Sequence, residues 1–176
     1  MSLSFYEVSV GQYLQMLGAT TYPEYGRGQC RSRGTDLGVM VNFRLQDNVH
    51  PFSFQAVSIW RQSLGVLRAM RDGLFEPPTK VDDTSSQDLC GLVDQAVEGL
   101  SQETEESTAA LSDKTMVFRG GEWRLPLPTT TNPNFILSFS LSNFYFHVTT
   151  VYDMLPLHGV PLERLNFKGQ MKTGIE

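Results

Sequence analysis

Between Pro133 and Pro156 the chain carries Phe135, Ile136, Phe139, Phe144, Phe146, Val148, Val151 and Met154, and a single formal charge, Asp153. A segment this long and this apolar outruns an ordinary strand, so the spacing predicts a helix from about Phe135 to Leu155. Alternation over Leu137, Phe139 and Leu141 keeps a strand reading open locally. A helix without a polar face belongs inside a bundle, and this one is expected to be central and buried.

Three further helices are expected around it. Ser4 and Glu7 have capping-box spacing, and Tyr6, Val10, Tyr13, Leu14 and Leu17 follow on one face. That first helix should falter before Pro23, because Gly18, Pro23, Gly26 and Gly28 all disfavour its continuation. Residues 20–43 combine loop chemistry with a short apolar piece, Leu37 to Phe43. The second helix is expected to take Asp47 or Asn48 as its cap and Pro51 in its first turn. Its stripe of Phe52, Ala56, Ile59, Trp60, Leu64, Leu67 and Met70 ends at Gly73, ahead of Pro77-Pro78. A third helix begins near Ser85, with Asp88 three residues on, and presents Leu89, Leu92, Val93, Val97 and Leu100. The acidic run Gln102 to Ser107 reads as a solvated face. Thr115 to Arg119, Gly120-Gly121, then Glu122 to Leu125 reads as a β-hairpin closed by a two-residue turn. A lone hairpin is marginal in water, so it should lean on the helices.

The 176 residues are read as one domain, 1–176, large enough for a core without metal or disulfide support. Acidic and basic residues are interspersed at a net charge of −5, with no Lys/Arg block, so no nucleic-acid partner is expected. Met1 to Glu7 lacks the basic and long apolar regions of a signal peptide. No apolar run reaches membrane-spanning length, so no membrane partner is expected. Cys30 and Cys90 stand apart and read as reduced thiols. The expected location is cytoplasmic.

Several blocks carry a resemblance. Met1-Ser2-Leu3-Ser4-Phe5-Tyr6, Arg44-Leu45 with Pro51 and Gln55, and above all Asn143-Phe144-Tyr145-Phe146-His147-Val148-Thr149-Thr150-Val151-Tyr152 resemble an uncharacterised family. Gly159-Val160 and Leu165-Asn166-Phe167-x-Gly169 continue the match. The family belongs to the DinB/YfiT-like bundle superfamily. The resemblance implies an all-α, up-down-down-up four-helix bundle, here with a small β-hairpin between helices 3 and 4. Relatives in that superfamily include metal-dependent thiol transferases and isomerases with a histidine on the second helix and an HxxxH pair on the fourth. This chain departs from that pattern: Val151 stands four residues after His147, and His158 is displaced by one residue from the family's usual histidine. His50 replaces a large apolar residue, and Thr20 to Gly34 is richer in Gly and Pro than the family's first helix.

The candidate chemistry centres on His147, an imidazole inside the most apolar helix, with a titration range suited to acid–base work. His147, Tyr145 and Tyr152 are the catalytic candidates. Asn143, Trp60, His50, Gln55 and Thr150 are the candidates for ligand binding. A histidine hydrogen-bonded within the core is the plainer reading of His147. Helix rise places His50 and His147 roughly 7–8 Å apart along the axis if helices two and four are antiparallel. That offset argues against direct bonds to one zinc, so no metal and no cofactor are expected. The expected function is binding of a largely apolar or aromatic small molecule, with cofactor-free isomerisation or cyclisation as its chemistry. Two alternatives remain open: a non-catalytic homodimeric or partner-docking bundle, and a metal-dependent DinB-like transferase or isomerase.

Overall fold

The structure is a computed structural model that describes residues 3–20, 37–76, 85–120, 127–160 and 162. The described chain is mostly helical, with one small three-stranded sheet. Helix α1 (Phe5–Val8) opens on the expected capping box, in which Ser4 Oγ accepts from the Glu7 amide and Glu7 returns a bond to the Ser4 amide. Ser9 leaves helical geometry, so the first helix is broken before α2 (Val10–Thr20). Val10, Tyr13 and Leu17 are fully buried, as their spacing predicts. The Leu37 to Phe43 piece becomes a short helix, α3 (Leu37–Val41).

A long rod follows, composed of α4 (Phe52–Trp60), a π turn (Arg61–Gly65) and α5 (Val66–Asp72). Its cap differs from expectation. Asp47 and Asn48 sit exposed in the preceding turn, and Pro51 is the N-cap, with no side-chain hydrogen bond. The chain enters α4 through backbone bonds instead: the Val49 amide donates to Gln46 O and the Phe52 amide to Phe43 O. Gly73 ends the rod at φ +77°, a left-handed conformation that a residue with a Cβ rarely adopts.

Ser85 and Asp88 form the expected capping box of α6 (Ser86–Ser101). The acidic run then turns into a separate short helix, α7 (Glu105–Ser112), capped by Thr104. Glu105 and Glu106 lie exposed in its first turn, while Glu103 pairs with Arg71 at 2.6 Å. The hairpin arms also differ. Strand β2 (Thr115–Phe118) pairs antiparallel with β3 (Leu127–Thr131), with a bulge between Met116 and Phe118. Phe118 stands opposite Leu127, whereas a two-residue Gly-Gly turn would set it opposite Trp123. The expected second arm, Glu122 to Leu125, lies outside the described residues, as do Cys30, Trp123 and Leu165 to Gly169. A strand missed in the sequence, β1 (Leu74–Phe75), joins β2 in parallel. Phe75, Phe118, Phe135 and Phe139 form one aromatic cluster that ties the sheet to the next helix.

That helix runs as α8 (Asn132–Phe135), a second π turn (Ile136–Ser140) and α9 (Leu141–Met154). It matches the predicted span closely but is not buried all round. Leu137 and Phe146 are 56% and 60% exposed, alongside Ser138, Ser142, Thr149 and Asp153. An apolar side chain is free to remain at a surface, so composition alone overstated the burial of this face. The rod α4–α5 packs against both α6 and α9, and α2 packs against α6. The core runs between them through Tyr13, Leu67, Met70, Leu100, Ile136 and Phe144.

Candidate functional site

Two hydrogen bonds set how α4 and α9 face one another. His147 Nδ1 lies 2.7 Å from Gln55 Oε1, and Ser140 Oγ donates to the Gln62 carbonyl at 2.7 Å. The two contacts are seven residues apart on each helix and in opposite order, so the helices are antiparallel. The separation corresponds to about 10 Å of helix. Along the two helices between these contacts, Ser58 and Phe144 are both buried.

At the first contact the Gln55 side chain is oriented from behind. Its Nε2 donates to the His50 carbonyl at 3.0 Å, which leaves Oε1 to face the histidine. An amide oxygen only accepts, so His147 Nδ1 carries the proton and Nε2 carries the lone pair. Burial pushes the His147 pKa down to about 4, and the neighbouring His50 adds to the shift. The ring is therefore neutral at physiological pH. Phe54 meets it edge-on at 6.1 Å between centres, and His50 stacks on the other ring contact of Phe54 at 4.0 Å. Phe146 approaches His147 at 5.3 Å. His50, Gln55, Phe54, Phe146 and His147 thus form one aromatic and amide-lined corner at the start of α4.

The other candidates go elsewhere. Tyr145, two residues before His147, turns toward α2 and donates to Gln12 Oε1 at 3.0 Å. Burial raises its pKa. Asn143 bonds back to the Phe139 carbonyl, and Thr150 to the Phe146 carbonyl, each within its own helix. Tyr152 is half-buried. Trp60 packs at the edge of the core, with its Nε1 buried and without an acceptor among the described residues.

The second contact was not anticipated. Ser140 spends its proton on the Gln62 carbonyl, so the Tyr13 hydroxyl donates to Ser140 Oγ at 2.6 Å. Both partners come from π turns. The Val66 amide goes to Ser63 O rather than to Gln62 O, and the Leu141 amide reaches five residues back to Ile136 O. Single π turns inside α-helices recur at functional sites. A trace was present in the sequence: Gln55, Ser58 and Gln62 recur at helical spacing along an otherwise apolar stripe.

A metal centre of the superfamily type fits poorly. Among the described residues no group of three or more His, Cys, Asp or Glu side chains could hold a metal ion. His50 is tied to Phe54, and His158 meets Phe43 edge-on at 4.4 Å. No described helix is long and apolar enough to cross a membrane.

Comparison with known proteins places the chain more firmly. Residues 5–168 match a family described as a domain of unknown function, DUF1993. The fold is similar to the crystal structure of a DinB family member from Shewanella denitrificans, with a TM-score of 0.71 and 20% identity. That likeness covers 94% of this chain and 92% of the other, and at this identity it concerns the fold. No curated protein matches the chain significantly.

Proposed function

The chain belongs to the DUF1993 family, and from that premise we propose that it is a small-molecule-binding bundle of up-down-down-up topology, with His147 as its working residue. The observation that carries the reading is the Gln55 amide, held between the His50 carbonyl and His147 Nδ1. It presents a neutral imidazole with one lone pair, on Nε2, for a ligand donor. The rings of Phe54, Phe146 and His50 suit a largely apolar or aromatic ligand.

A pKa of about 4 makes His147 a weak base. Recognition of a ligand O–H or N–H therefore comes first, and proton transfer is confined to acidic ligand protons such as those of phenols and enols. An isomerisation or cyclisation of such a ligand needs only that Nε2 take a proton from one ligand atom and return it to another. Calorimetric titration of aromatic alcohols and their methyl ethers tests this. Tighter binding of the hydroxyl form, lost in His147→Ala, is expected; equal affinities in both proteins end the reading.

A second reading rests on the exposed Leu137 and Phe146 of the last helix: a non-catalytic homodimer joined through that face. Light scattering that finds only monomer at high concentration removes it. Metal-dependent chemistry is the least supported reading, because the donor set fits poorly. Stoichiometric zinc, nickel or iron in the purified protein would restore it.

A further inference from the structure

Asn132, Phe135 and Ile136 are buried at the start of the last helix. Phe135 joins the aromatic cluster on the sheet, and Asn132 Nδ2 donates to the Leu111 carbonyl at 2.8 Å, so the rotation of α8 is fixed. At about 100° per residue, an unbroken α-helix that turns these three side chains inward would next turn Asn143 and Phe146 inward. The chain does otherwise. Phe144 and His147 are buried, one residue later in each case, while Phe146 is mostly exposed. The π turn Ile136–Ser140 takes up that one residue, with the Leu141 amide reaching back five positions to Ile136 O.

On apolar burial alone, Phe146 belongs inside and His147 outside. Two polar contacts oppose that exchange. His147 Nδ1 meets Gln55 Oε1, an oxygen that would otherwise be unpaired in a buried place. Ser140, the last residue of its π turn, donates to the Gln62 carbonyl of the facing π turn and accepts from Tyr13. We propose that Ser140 is a positioning residue: its bond across to Gln62 holds the extra residue in the π turn, and so decides that His147 rather than Phe146 faces Gln55. Release of that residue into ordinary helix would screw α9 round by about 100° and along by about 1.5 Å, carrying Phe146 in and His147 out. Ser140 does this whether or not His147 meets a ligand, so the test uses none.

The readout is an NMR titration of the His147 ring in the intact chain, whose pKa stands at about 4 in the buried position against an ordinary 6.5. Deletion of Ser138, an exposed residue of the π turn, removes the extra residue and leaves one unbroken helix in the same phase. That protein is expected to fold, with its His147 pKa still near 4. Ser140→Ala releases the turn, and the His147 pKa should rise by about one unit or more as the ring meets water. Phe146→Ser added to Ser140→Ala takes away the ring that competes for the inward place. It should bring the pKa back down, which mere loosening of the core would not do. Should Ser140→Ala fail to fold, the Ser138 deletion decides. A deletion variant that is unfolded or titrates at the ordinary value, an unchanged pKa in Ser140→Ala, or no recovery with Phe146→Ser would overturn the proposal.

Discussion

His147 Nδ1 and Gln55 Oε1 meet at 2.7 Å across ninety-two residues of chain, and the Gln55 amide is itself turned by its bond to the His50 carbonyl. The contact fixes which imidazole nitrogen holds the proton. It also couples His147 to the packing of α4 on α9, so its titration should be visible in the stability of the whole fold.

The folded His147 pKa of about 4 lies below the ordinary value of 6.5. As pH falls, the unfolded chain therefore binds a proton at this position before the folded one does. The associated stability is complete above pH 6.5 and declines between 6.5 and 4, by up to ~1.4 kcal/mol per pH unit. Urea unfolding across that window should show the decline, and His147→Gln should flatten it. An identical slope in both proteins would contradict the assignment.

Gln55→Glu puts a carboxylate against the same imidazole N–H. An opposite charge at that range should raise the His147 pKa by about 1–3 units, which an NMR titration of the ring protons reads directly. A pKa that stays where it was would mean that Gln55 does not face the ring in solution.

Ser140→Ala should destabilise the fold by about 1–3 kcal/mol, because it orphans the buried Tyr13 hydroxyl and the Gln62 carbonyl together. Burial already drives the Tyr13 pKa far above the ordinary tyrosine range. Tyr13→Phe combined with Ser140→Ala is expected to cost less than the two single changes added. Strict additivity would show that the hydroxyls do not interact.

Gly99 of α6 lies against Leu64 of the first π turn. A Cβ at Gly99 would stand 2.7 and 2.9 Å from the two Leu64 methyls. Gly99→Ala should therefore cost about 1–3 kcal/mol through overpacking. Leu64→Val in the same chain should recover part of that loss, read as the unfolding midpoint in urea. A Gly99→Ala protein as stable as wild type would show that α6 can shift away.

Much of the helical framework was legible before any coordinates. Ser4 with Glu7 and Ser85 with Asp88 announced two helix starts, and both form capping boxes. Gly73 announced an end and takes positive φ there. The stripe from Phe52 to Met70 described a rod that does pack along the expected face. The strand β1 was hidden because two residues, Leu74 and Phe75, carry no periodicity to read. The π turns were hidden as well, since an inserted residue inside a helix changes no local propensity that Arg61 to Gly65 or Ile136 to Ser140 would display.

Of the corner around His147, sequence singled out His50, Gln55 and His147 but grouped Tyr145 with them. Two residues along a helix is about 200° of rotation, and Tyr145 points to α2 instead. The amino-acid order determined where helices begin, stop and turn, because caps, prolines, glycines and apolar spacing act over a few residues. Tertiary structure alone decided that Gln55 meets His147 and Gln62 meets Ser140. Those pairings depend on the register of two helices joined through a long stretch of chain, and no local preference specifies that register.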